Sequence, residues 1–145
     1  MDSGIWVIAE HKSNRITDGT FEAISAGRSI AKQLNTGVAL LVLGNGLSAL
    51  SNTLFHSSAD TVYLFDNPLL AQYTSDVYIG CLEPFIKQQK PSILFIPSTC
   101  LGRDLAPKLA ARLKTAYISD VSGIEISGSE ILLNRPVYGG RLFSK

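Results

Sequence analysis

The sequence predicts an α/β domain of three layers, a mostly parallel sheet flanked by helices, with a β-hairpin near its C-terminus. Three observations predict it. Short apolar runs rich in β-branched residues recur along the chain, stretches with helical spacing separate them, and the whole series fits within 145 residues, about one domain's length. Strands alternating with helices imply parallel pairing through right-handed crossovers. The runs are continuously apolar, which suits strands buried on both faces.

The elements follow in order. Ile5 to Ala9 reads as the first strand, and Val38 to Leu43, Thr61 to Phe65 and Ile93 to Ile96 as the next three. Tyr117 to Val121 is a weaker fifth run. Phe21, Ile24, Ile30 and Leu34 mark a first helix from about Thr20, and Leu47, Leu50, Leu54 and Phe55 a second. Val77, Cys81, Leu82, Phe85 and Ile86 mark a third, with Pro84 inside it predicting a kink or a break and Pro91 closing it. Leu105, Leu109 and Leu113 mark a fourth. Gly123 to Ile126, a Ser127-Gly128-Ser129 turn, and Glu130 to Arg135 form the hairpin. Tyr138 to Phe143 opens another extended piece with no closing element after it. The expectation is a single domain over 1–145, cut before its last strands.

Composition narrows the function. Hydrophobic residues make up 46% and charged residues 17%, against an average charged share of about 25%, so the chain is not disordered. Thirteen Lys and Arg against 12 Asp and Glu leave a net charge of +1. That gives no electrostatic footprint for nucleic acid or an anionic membrane. The apolar runs are also far short of the roughly 20 residues that span a bilayer. So few charges suit a domain with covered faces. Cys81 and Cys100 allow one disulfide, but free thiols in a reducing compartment are the preferred reading, because a chain of this size needs no staple. The N-terminus shows no signal or transit peptide. Bacterial cytoplasm and mitochondrial matrix both fit.

Three segments carry chemistry worth weighing. Gly44-Asn45-Gly46-Leu47-Ser48-Ala49 follows a strand, opens a helix, and has Asp66 at the end of the next strand. In a dinucleotide site such glycines admit a pyrophosphate at the helix N-terminus and the acid holds a ribose hydroxyl. The plainer reading is a Gly-rich turn with Asp66 in an Asp-Asn-Pro turn. The second segment centres on Gly102-Arg103-Asp104, where the fourth strand gives way to its helix. Asp104 suits an N-cap with Pro107 in the first turn, and Arg103 suits an anion or a partner's acid. The third, Arg135-Pro136-Val137-Tyr138-Gly139-Gly140-Arg141, pairs cations with glycines that permit close backbone approach. His11 and His56 do not cluster with the cysteines at metal-ligand spacing, and no nucleophile elbow, P-loop or carboxylate pair is present. Neither a metal site nor catalytic residues are expected.

In combination these motifs resemble the electron-transfer flavoprotein alpha subunits. Trp6 to His11 looks like that family's opening strand, and Gly102 to Leu113 is very like its central segment. Ser119-Asp120 follows in place, and Arg135-Pro136-Val137-Tyr138-Gly139-Gly140 matches its Arg-Pro-x-Tyr-Gly-Gly stretch. Arg141 departs from the Asn usual there. The resemblance covers essentially the whole chain. It implies an adenine-nucleotide-hydrolase-like fold, pairing with a beta subunit, and electron carriage from flavin dehydrogenases to a quinone oxidoreductase or related acceptor. It implies FAD held by a C-terminal domain absent from this chain, no cofactor on this segment, and a non-catalytic domain packed on the beta subunit. Gly102, Arg103, Asp104, Arg135, Tyr138, Gly139 and Gly140 become interface candidates. The alternative remains a nucleotide-binding module using Gly44, Gly46 and Asp66.

Overall fold

Side chains alternate between the two faces of a strand, and each inner strand here is apolar on both. A computed structural model describes residues 4–128, 130–137 and 142–144. In it Ile5–Ala9 forms β1 and Val38–Gly44 forms β4, both buried along their whole length. Ile5, Val7, Val38, Leu40 and Val42 point into one core, and Trp6, Ile8, Leu41 and Leu43 into the other. Thr61–Asp66 forms β5 and Ile93–Phe95 forms β6. The four strands are parallel in the order β5-β4-β1-β6. Burial on both faces holds for β1 and β4 but not at the edges, where Leu64 of β5 is 52% exposed.

The helices supply the outer layers. Asp18–Leu34 forms α1, and a 3-10 turn at Leu47–Leu50 leads into the short α2, Ser51–Phe55. Ile24, Ile30, Leu50 and Leu54 from these elements cover the first face. Ser75–Gln89 forms α3 and Cys100–Leu113 forms α4, whose Leu82, Ile86, Leu105 and Leu109 cover the second. On that face Phe85 packs between Trp6, Tyr63 and Phe65, with ring centroids 4.9–5.3 Å away. Such tilted aromatic contacts add to simple area burial.

The predicted hairpin is present. Gly123–Ser127 (β7) pairs antiparallel with Glu130–Val137 (β8), and β8 pairs with Leu142–Ser144 (β9). Ile124 and Ile126 pack against the first core. A two-residue hairpin not foreseen from sequence, His11–Lys12 (β2) with Arg15–Ile16 (β3), follows β1 directly.

Three local expectations are corrected. Tyr117 to Val121 is not a strand, because Asp120 takes a left-handed φ of 55° that interrupts extension. Pro84 does not break α3: it lies on the exposed face, and the carbonyl it leaves without a donor belongs to exposed Gly80, open to solvent. Asp104 does not cap α4. Thr99 does, its hydroxyl accepting from the Gly102 amide at 3.1 Å, so Asp104 and Pro107 both lie inside the helix.

Candidate subunit interface at the carboxyl end of the sheet

The strand order reverses between β1 and β6. In open α/β sheets ligands gather outside the carboxyl ends of strands at such a point. Glu10 follows β1, and Thr99 follows β6. The Thr99 hydroxyl donates to Glu10 Oε1 and bridges the gap. The Glu10 backbone is held from the other side, its amide donating to Thr20 Oγ1 at 2.9 Å and its carbonyl accepting from the Thr17 amide at 3.0 Å. Sequence reasoning missed Glu10, Thr20 and Thr99. For Glu10 and Thr99 the only signal was position, just after the two strands that flank the reversal; Thr20, inside α1, carried none.

Gly102 sits at the start of α4 for a steric reason. A Cβ there would lie 1.9 Å from the Pro97 carbonyl oxygen, so the helix can approach the end of β6 only with glycine. Arg103 is exposed, its Nη2 donating to the Ser98 carbonyl at 3.4 Å. Asp104 accepts from Lys108 Nζ at 2.6 Å and from the Tyr73 hydroxyl at 2.7 Å. Those bonds, Lys108 first and Tyr73 second, hold its carboxyl below the usual range. Burial, and then the bond to Asp104, push the Tyr73 phenol well above its ordinary value. Tyr78, buried nearby, is raised chiefly by desolvation. Lys108 also donates to Ser75 Oγ at 3.0 Å, so this cluster ties the start of α3 to α4.

The glycine motif has a different geometry from a waiting phosphate loop. The Asp66 carboxylate accepts from the Gly46 amide at 2.7 Å and from the Leu47 amide at 2.9 Å. It places a negative charge where a pyrophosphate would lie. A Cβ on Gly44 would meet Leu47 Cδ2 at 2.7 Å and His11 Nε2 at 2.8 Å, so this space is filled by the chain's own side chains. In this conformation both loop amides are taken by Asp66.

Arg135 lies on β8, away from the Gly102 turn in sequence, and its Nε is buried without a partner among the described residues. Tyr138, Gly139, Gly140 and Arg141 lie outside the described residues. Among the described residues no His, Cys, Asp or Glu cluster could hold a metal ion. There too, no helix is long and apolar enough to cross a membrane.

The family model described as "Electron transfer flavoprotein domain" matches residues 5–145. The chain belongs to the electron transfer flavoprotein family. Within it, the chain is 34% identical over 141 residues to an "Electron transfer flavoprotein subunit alpha" of Thermoanaerobacterium thermosaccharolyticum, covering 97% of this chain and 43% of that protein. It is 34% identical over 145 residues to the protein of that name in Bacillus subtilis, covering 100% of this chain and 44% of the relative. A "Lactate dehydrogenase (NAD(+),ferredoxin) subunit LctC" of Acetobacterium woodii is 31% identical over 143 residues, covering 98% of this chain and 34% of that protein. The chain therefore spans less than half the length of these curated relatives.

Proposed function

We propose that this chain is the beta-subunit-packing part of an electron carrier and holds no redox group itself. FAD is bound in the portion of the relatives' length that the chain does not span. The assembled heterodimer passes electrons from flavin dehydrogenases to a quinone oxidoreductase or related acceptor. The chemistry is the flavin's, and this domain contributes position and a rigid frame. The bacterial sources of the relatives favour the bacterial cytoplasm over the mitochondrial matrix.

The observation that carries this reading is the match along 97% of this chain to only 43% of an alpha subunit. The geometry supports it: the loop most like a nucleotide site is closed by Asp66, while Gly102, Arg103 and Asp104 stand at the rim of the sheet. Replacing Arg103 with Ala should weaken binding to the beta subunit about tenfold, as expected for an exposed charge at an interface. Unchanged affinity by surface plasmon resonance would remove Arg103 from the interface. The alternative, a nucleotide-binding module on Gly44, Gly46 and Asp66, requires Asp66 to release both amides. Tight binding of AMP, NAD or FAD that Asp66→Ala abolishes would favour that module.

A further inference from the structure

The hairpin of β2 and β3 is costly where it stands. Its two turn residues, Ser13 and Asn14, have positive φ of 51° and 58°. Such a turn matches the twist of a two-residue hairpin, but it favours glycine and asparagine rather than serine. The register sets Lys12 directly opposite Arg15. Side chains so placed lie about 5 Å apart at Cβ, and like charges there repel. Both residues are exposed and neither forms an ion pair among the described residues.

The finger is nevertheless held firmly at its base. His11 Nε2 lies 2.9 Å from the Leu43 carbonyl, Ile16 is buried in the first core, and the Thr17 amide donates to the Glu10 carbonyl. It therefore projects two cations, in a fixed place, from the carboxyl end of the central strand. In the first turn of α4, the helix that follows the adjacent strand β6, Arg103 is a third exposed cation without an ion pair among the described residues.

The acids around it are mostly engaged. Glu10 is bonded by Thr99, Asp66 by two amides, Asp104 by Lys108 and Tyr73, and Asp120 by the Ser98 hydroxyl. Asp18, in the first turn of α1, is the exposed acid nearest in sequence and forms no ion pair among the described residues.

Like charges set opposite each other on a positive-φ turn carry a local cost, and such cost concentrates at functional sites. We propose that the Lys12–Arg15 finger, at the same carboxyl end of the sheet as Arg103, docks an acidic surface of the partner subunit and steers its approach. This rests on the subunit reading given above. Complementary charge of this kind acts mainly on the association rate and makes it salt-dependent.

The test follows association of the chain with the electron transfer flavoprotein beta subunit of the same organism by stopped flow, at low and high salt. A K12T/R15T variant keeps strand-compatible residues. A K32Q/K90N variant removes two exposed cations at the opposite, amino end of the sheet, with Asn suited to the left-handed φ of 54° at position 90. The first should associate about tenfold more slowly at low salt and lose most of its salt dependence, with the second like wild type. Its denaturation midpoint, read from Trp6 fluorescence, should be unchanged or higher. Wild-type-like association of K12T/R15T, or equal slowing of both variants, would overturn the finger proposal alone. Failure of the wild-type chain to bind would overturn the subunit reading, and the finger's role with it.

Discussion

At the residue scale, the strongest constraint is Gly102. The Pro97 carbonyl stands 1.9 Å from where a Cβ would sit, and neither α4 nor the end of β6 can yield without disturbing the core that Leu105 closes. Gly102→Ala should lower stability by about 3 kcal/mol, the upper end of ordinary overpacking. Chemical denaturation followed through Trp6, the single tryptophan and 4% exposed, would measure it. A loss below 1 kcal/mol would mean that the two elements part easily. Leu82, fully buried on α3, gives the complementary case. Leu82→Ala leaves a cavity and should cost about 3 kcal/mol by the same assay.

At the scale of elements, α3 and α4 are joined by a polar edge above an apolar seam. Arg112 Nε donates to Glu83 Oε2 at 2.8 Å, Lys87 pairs with the same carboxylate, and Lys108 and Tyr73 hold Asp104. Bonds from Lys87, then Arg112, lower the Glu83 carboxyl, as those from Lys108 and Tyr73 lower Asp104. Because both folded values lie below the unfolded ones, their support is complete above the unfolded carboxylate range. It is lost as pH falls through the lowered folded values. Stability should therefore fall below about pH 4, and E83Q/D104N should flatten that fall in acid titrations monitored by circular dichroism. An unchanged acid limb would show that these carboxylates carry none of it. Tyr73 acts in the opposite sense: its raised value gives support below the ordinary phenol range that fades as pH climbs above it.

At the scale of the whole molecule, the alternation of strands and helices around a parallel sheet is legible in the sequence, whereas the order β5-β4-β1-β6 is not. The unbroken apolar runs of β1 and β4 declared a buried parallel sheet, because burial on both faces leaves no polar alternation. The 3.6-residue spacing of Leu105 and Leu109 likewise declared a helix. The site was less legible. Glu10 and Thr99 are distant in sequence and meet only because the chain turns back across β1. Capping of α4 by Thr99 rather than Asp104 depends on where Pro97 lets the helix begin, a tertiary matter. The Lys12–Arg15 hairpin had no Asn-Gly signature, since its turn is Ser13-Asn14. The Asp66 spacing was visible, but not that its carboxylate turns inward to its own loop.

The proposed role, one side of a two-subunit electron carrier that does not itself bind flavin, is open to direct measurement. The most direct measurement is size-exclusion chromatography with light scattering and a visible spectrum, on the chain alone and after mixing with the beta subunit of the same organism. The chain should be colourless and elute with the beta subunit at a one-to-one ratio. A chain that stays apart from the beta subunit, or one that carries near-stoichiometric flavin on its own, would contradict that role.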